Sequence, residues 1–326
     1  MDLSVKYMGL NLKTPIIVGS SGLTNSVEKI EELAKHGAGA VVLKSLFEEQ
    51  LRYEGQAESD KNTYDYPEAI DYIKAFTKDT SFGDYLNLIE NSKKKVDIPV
   101  IASINCVSTG EWVNYAKRIE EAGADALELN ISLLPSDVRK SSQDNEKMYF
   151  SIIKKVKSVV SIPVALKMSH YSAGLAHLIQ KLSWSEKVDA FVLFNRYYSP
   201  DIDINTLKIG STAVFSTPGD LAASLRWVAL LSDKIDIDIS ASTGVHSGED
   251  VIKQLLAGAK SVQVVSAIYK NHPQIIATML DDLKKWMEEK GYSSVKEFQS
   301  SVNLNDLINP AAFERSQFMK HFGQIH

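Results

Sequence analysis

The chain of 326 residues has a formal net charge of -5, 44% apolar and 24% charged residues, and one cysteine, Cys106. That balance suits a globular protein with a large core and offers no long-range attraction to nucleic acid or an anionic membrane. A single cysteine excludes an intrachain disulfide and an iron-sulfur cluster held by this chain alone. The N-terminal residues 1–15 carry no apolar run of signal-peptide type, and no stretch is apolar for the length of a membrane helix, so a cytoplasmic location is expected.

Taken in order, the chain alternates short apolar runs with helical patterns. A first strand at 15–19 ends in Ser20-Ser21-Gly22 and is followed by a helix over 26–36. Gly37-Ala38-Gly39-Ala40 leads into a strand at 41–43, with Lys44 and Ser45 at its end. Residues 47–82 are polar and rich in tyrosine (Tyr53, Tyr64, Tyr66, Tyr72) and read as an elaborated loop over the site. A helix over 84–95 and a strand at 99–104 follow, delivering Asn105 and Cys106; then come a helix over 111–121 and a strand at 126–131, carrying Asn130 and Ser132.

The polar stretch 136–146 reads as a second mobile loop before a helix running to 160. A strand at 163–166 presents Lys167, a helix over 174–182 follows, and a strand at 190–194 presents Asn195. After a long connection over 196–215 and a helix over 219–231, the segment 235–270 reads as strand, helix, strand. Its first strand ends in Ser242-Thr243-Gly244 and its helix has Ser247 as N-cap with Asp250 three positions on. Ala257-Gly258-Ala259 closes that helix, and the second strand ends in Ser266-Ala267. A long amphipathic helix fills most of 272–290, and residues 291–326 form a covering segment.

Three helices end in the same way before a Val/Leu-rich strand (HGAGAVVL, EAGADALEL, LAGAKSVQV), an internal rhyme of repeated βα units. Eight such units give an α/β fold, a closed (β/α)8 barrel in one domain over 1–326 with extended loops at its C-terminal face. A doubly wound open sheet is the alternative, and it would need fewer strands or a second domain. Chemistry in a (β/α)8 barrel sits at the C-terminal strand ends. Lys44, Asn105, Asn130, Ser132, Lys167 and Asn195 all fall there. A partly buried lysine needs a partner, either an anionic group on a ligand or a salt bridge in the mouth. Two lysines with three asparagines favour a ligand, because Asn offers donor and acceptor to a planar heterocycle. The Thr243-Gly244 and Ser266-Ala267 turns form a phosphate cradle at adjacent strands, although each alone is an ordinary tight turn. Cys106 is read as a small hydrophobe, and His170, His177 and His246 show no metal spacing.

The runs IASINC at 101–106, GADALELNIS at 123–132, ALKM at 165–168 and the segment 241–270 resemble the dihydroorotate dehydrogenase family, including the flavin domain of dihydropyrimidine dehydrogenases. The likeness covers residues 3–300. It implies an FMN-binding barrel and a small-molecule substrate. It places flavin or pyrimidine contacts at Lys44, Asn130, Lys167 and Asn195, phosphate turns at Thr243-Gly244 and Ser266-Ala267, and the first flavin loop at Ser20, Ser21 and Gly22. Ser45 and Asn105 join the cofactor set, and Ser132 the substrate set. The similarity is to the soluble classes, which are commonly homodimers.

The departures fall on the substrate side. The family's loop after the fourth strand carries a cysteine or serine base and then an asparagine; here those places are Leu133 and Pro135. The asparagine-rich loop that holds orotate is not recognisable within 52–82, and the serine after Asn195 is Arg196. Two functions are therefore open: an FMN-dependent oxidoreductase related to dihydroorotate dehydrogenase, with a different or related dihydropyrimidine-like substrate, or a flavin-binding barrel without dehydrogenase activity. Retention of Lys44 and Lys167 favours the first.

Overall fold

The structure is a computed structural model that describes residues 1–49, 67–106, 109–131, 133–197, 199–211 and 214–302. Tyr53, Tyr64, Tyr66, Ser132 and the tail 303–326 lie outside the described residues. A short antiparallel hairpin, β1 (Val5–Tyr7) and β2 (Leu10–Leu12), opens the chain. Its two-residue turn puts Met8 at φ 52° and Gly9 at φ 79°, the left-handed pair that matches the twist of hairpin strands.

Among the described residues eight parallel strands close into a barrel: β3 (Ile16–Val18), β4 (Ala40–Val42), β6 (Val100–Asn105), β7 (Ala126–Asn130), β8 (Val164–Lys167), β9 (Ala190–Leu193), β12 (Asp238–Ser242) and β13 (Ser261–Val264). Pairing of β13 with β3 and of β4 with β6 completes the ring. A two-residue strand, β5 (Leu46–Phe47), pairs alongside the end of β6. The open-sheet alternative is thereby excluded, and the (β/α)8 expectation is met.

Strand alternation sends successive residues to opposite faces. The outward set (Val41, Leu127, Leu166, Phe191, Val262) packs under the helices, and the inward set forms a separate core cluster. At the N-terminal end of the barrel that inner cluster is lined by alanines: Ala40, Ala126, Ala165 and Ala190. Their small side chains leave room for Tyr7, Met8 and Leu12 of the hairpin, buried to 1%, 4% and 1% exposure, to plug the barrel from below. The Met8 N–H donates to Asp238 Oδ2 at 2.8 Å and ties the plug to the start of β12.

The helices differ from the sequence reading in two places. α1 (Val27–Lys35) begins after Ser26 as expected, but α2 (Pro67–Lys95) begins well before 84, inside the expected loop, and contains Tyr72. Ile70, Ile73 and Phe76 recur there at three-residue spacing, a helical signal that the surrounding polar residues obscured. After α3 (Thr109–Glu121), α4 (Ser142–Lys157) likewise starts inside the expected loop at 136–146. Its first turn is exposed and so carries no apolar pattern, and a capping box between Ser141 and Asp144 starts it instead.

α5 (Leu175–Ser183), α6 (Leu221–Leu231) and α7 (Gly248–Leu256) follow the reading, and α7 has the Ser247–Asp250 capping box and Gly258 at φ 113°. The connection after β9 contains an antiparallel hairpin, β10 (Pro200–Asp203) and β11 (Lys208–Ser211), that stands away from the core. Ser266-Ala267 do not form a turn but begin a short helix, α8 (Ser266–Asn271). α9 (Gln274–Lys290) and α10 (Val295–Phe298) complete the described chain, and Val295 and Phe298 are fully buried. Among the described residues no helix is long and apolar enough to cross a membrane.

Candidate active site

The C-terminal ends of the strands open on a cavity of about 220 Å³. Six of the expected residues line it: Ser20, Lys167, Asn195, Thr243, Gly244 and Ser266. Lys167 is the last residue of β8 and points inward, leaving only 9% of its surface exposed. Its ammonium donates to Gln263 Oε1 at 3.1 Å and meets Glu128 Oε1 at 3.4 Å; Gln263 Nε2 in turn donates to Glu128 Oε2 at 2.7 Å. Both readings of a buried lysine are therefore present at once: a salt bridge below, and a face on the cavity above.

Asn130 stands beside Lys167 in strand register and accepts a hydrogen bond from Asn195 Nδ2 at 3.0 Å, so two asparagines from non-adjacent strands are joined across the mouth. Ser45 is drawn in through hydroxyl contacts of 3.0 Å to Ser20 and 2.7 Å to Ser103. The Lys44 side chain is exposed and is not among the residues that line this cavity. The expected convergence also leaves out Asn105, half-buried at the end of β6, and Ala267, fully buried in the core. Ser21 is spent on the backbone, where its hydroxyl accepts from Leu23 N at 3.3 Å. Gly22 lies outside the lining, and a Cβ there would sit 2.8 Å from Tyr269 Oη.

Thr243 and Gly244 leave β12 with φ 81° and 82°. Thr243 Oγ1 donates to the Phe194 carbonyl at 3.0 Å. Gly244 is required by space as well as by φ, because a Cβ would lie 2.1 Å from Leu221 N at the start of α6. Ser266 Oγ accepts from Ser216 N at 3.0 Å, while the Ser216 carbonyl accepts from Lys270 at 3.0 Å and its hydroxyl meets His246 Nε2 at 3.1 Å. Burial first, and then the charge of Lys270, hold the His246 imidazole below the usual histidine range.

Sequence reasoning missed Glu128, Gln263, Ser216 and His246. The first two had a signal: each is a polar residue at an inward position of an otherwise apolar strand, ALELN and SVQV. Ser216 had none, because its role depends on a long connection folding back over the mouth. Leu133, at the place of the family's base, is half-buried against the core and lies outside the cavity that holds Lys167.

The comparison with known proteins agrees with this architecture. The family model described as dihydroorotate dehydrogenase matches residues 2–287. The chain is 26% identical over 309 residues to the protein of Thermoplasma volcanium named dihydroorotate dehydrogenase B (NAD(+)), catalytic subunit, covering 91% of this chain and 97% of that one. Proteins of the same name from Pyrococcus furiosus (28% over 305 residues, 91% and 97% covered) and Methanosarcina mazei (28% over 301 residues, 88% and 91% covered) are similarly related. With the closed barrel and a family match over most of its length, the chain belongs to the dihydroorotate dehydrogenase family.

Proposed function

We propose that this chain is an FMN-dependent oxidoreductase that acts on a small molecule whose oxidation needs no base at position 133. The observation that carries the reading is Lys167, buried at the mouth, charged-paired from below by Glu128 and fixed by Gln263, with its upper side on the cavity. The residues present fit FMN. The lining brings Ser20, Thr243, Gly244 and Ser266 together with the Lys167 ammonium, polar groups suited to a phosphate and an anionic ring, and a Cβ at Gly244 would lie 2.1 Å from Leu221 N, so that turn packs too closely for a side chain. Thr243, Gly244 and Ser266 would hold the phosphate, and Ser20, Ser45, Asn130 and Lys167 the ring system.

FMN held there would supply two-electron redox chemistry. Lys167 would stabilise negative charge on a bound group without reorganising, because Glu128 and Gln263 already fix its position. The Asn130–Asn195 pair presents donors and acceptors to a planar substrate from one side of the mouth. A homodimer accompanies this reading. It is supported by the hairpin over 200–211, which exposes Ile202, Ile204, Leu207 and Ile209 at 64%, 82%, 82% and 80%, a patch suited to association. Denaturing the purified protein should release one FMN per chain; a colourless protein that also fails to bind added FMN would remove the proposal.

A further inference from the structure

A second cavity, of about 270 Å³, opens on the same face between the loops that follow β7 and β8. Its walls are Leu133, Pro135, Met168, Leu175 and Tyr171, and Tyr149 stands among them. Its floor is buried, with Met168, Leu175 and Leu178 exposed by only 1%, 1% and 2%, while Tyr171 at its rim is 44% exposed. Tyr171 also lines a neighbouring cavity that it shares with Phe194, Asn195 and Thr243, so the apolar space adjoins the mouth.

The Tyr149 side chain is the unusual feature. It is 4% exposed, yet among the described residues its hydroxyl has no hydrogen-bond partner. Burial pushes its ionisation far above the ordinary phenol range, so it is a neutral O–H that can donate or accept. Unlike the enclosed Tyr7 hydroxyl, it keeps some exposure, so it is open to a ligand with one matching polar atom. The lining carries Lys140 and Glu146, of opposite sign, and the neutral Ser142, Asn145, Ser169 and Ser172 beside the apolar walls, so no net charge in it selects an ion. For scale, an apolar cavity of about 150 Å³ takes up benzene, so this one admits a ring with a substituent.

We propose that this cavity is a substrate subsite for an uncharged aromatic group bearing one hydroxyl or carbonyl, with Tyr149 as its hydrogen-bond partner and Leu133, Pro135 and Met168 as its walls. The inference rests on the proposed redox function only in calling the occupant a substrate. It also gives Leu133 and Pro135 a shared role, since both face one apolar space.

The test uses the full chain as purified, titrated with 4-methylphenol and with toluene by saturation-transfer NMR. Both probes should bind. Tyr149→Phe should weaken 4-methylphenol by about five- to tenfold, the worth of one hydrogen bond, and leave toluene unchanged. Ala173→Trp, at an exposed position of the lining, should block both without altering the melting temperature. Failure of both probes to bind, or wild-type binding in both variants, would overturn the proposal. The readout does not involve flavin: a protein that binds the probes but releases no flavin removes the redox reading and keeps the cavity, and a flavoprotein indifferent to the probes does the reverse.

Discussion

Glu128 and Lys167 form an ion pair inside the barrel, 3.4 Å apart, with side chains exposed by only 1% and 11%. They are not opposite each other in the ladder: Lys167 pairs in register with Asn130, and Glu128 with Ala165, so the lysine reaches back one layer toward the core. Removing one member of such a pair leaves an uncompensated charge in a poorly solvated place. Glu128→Gln should therefore lower stability by about 3 kcal/mol, the lower end for a broken buried pair because Gln263 remains as a partner. Glu128→Gln with Lys167→Met should recover most of it. Urea midpoints of the three proteins decide the matter, and an unchanged midpoint in Glu128→Gln would show that the pair is solvated.

Lys167→Ala addresses the same residue from the ligand side. The ammonium favours the anionic reduced ring over the neutral oxidised one, so the variant should lower the reduction potential of bound flavin and weaken the reduced form more than the oxidised. Spectroscopic titration against a reference dye measures it. An unaltered potential would confine Lys167 to the salt bridge.

At Gly244 the added methyl of Gly244→Ala would meet Leu221 N at 2.1 Å in a backbone conformation at φ 82°. The left-handed conformation alone costs an L-residue about 1–2 kcal/mol, and the clash adds to it. Flavin content per chain and melting temperature should both fall. Retention of both would mean that α6 can draw back.

Acid should loosen the mouth. His246 contacts the Ser216 hydroxyl and is surrounded by Lys270, Asp250 and Asp220, with its folded-state affinity for protons below the ordinary histidine value of 6.5. The unfolded chain thus binds the proton first as pH falls, so the stability contributed by neutral His246 is present above about pH 6.5 and declines below it. His246→Gln should flatten the change in urea midpoint between pH 7.5 and pH 5. An equally steep change in the variant would assign the acid sensitivity to other groups.

Dihydroorotate should be a poor reductant of this protein. Positioned general bases supply about 10²- to 10⁴-fold in rate, and Leu133 cannot accept a proton. Leu133 is also packed against the core beside Tyr149 and Met168, so Leu133→Cys alone should restore little activity. Rapid anaerobic bleaching by dihydroorotate would show that another residue serves as base.

Much of the architecture was legible because its causes are local. The Gly-Ala helix endings, the cap of Ser247 by Asp250 and the apolar strand cores each depend on a few neighbouring residues, and parallel order then places Asn130, Lys167 and Asn195 at one mouth. Two helix starts were hidden for the same reason, since an exposed first turn such as that of α4 writes no apolar pattern. Only the closed barrel decided the rest. Glu128 and Gln263 are 135 positions apart and meet because the ring brings β7 and β13 face to face across a narrow interior. Ser45 is held at the mouth by the hydroxyls of Ser20 and Ser103, which stand on or just after neighbouring strands. Tyr149, Leu133 and Pro135 share a cavity through the packing of two loops and two helices. Strand periodicity states which face a side chain leaves from, whereas the partner it reaches is set by barrel closure and side-chain length, which no short stretch of sequence contains.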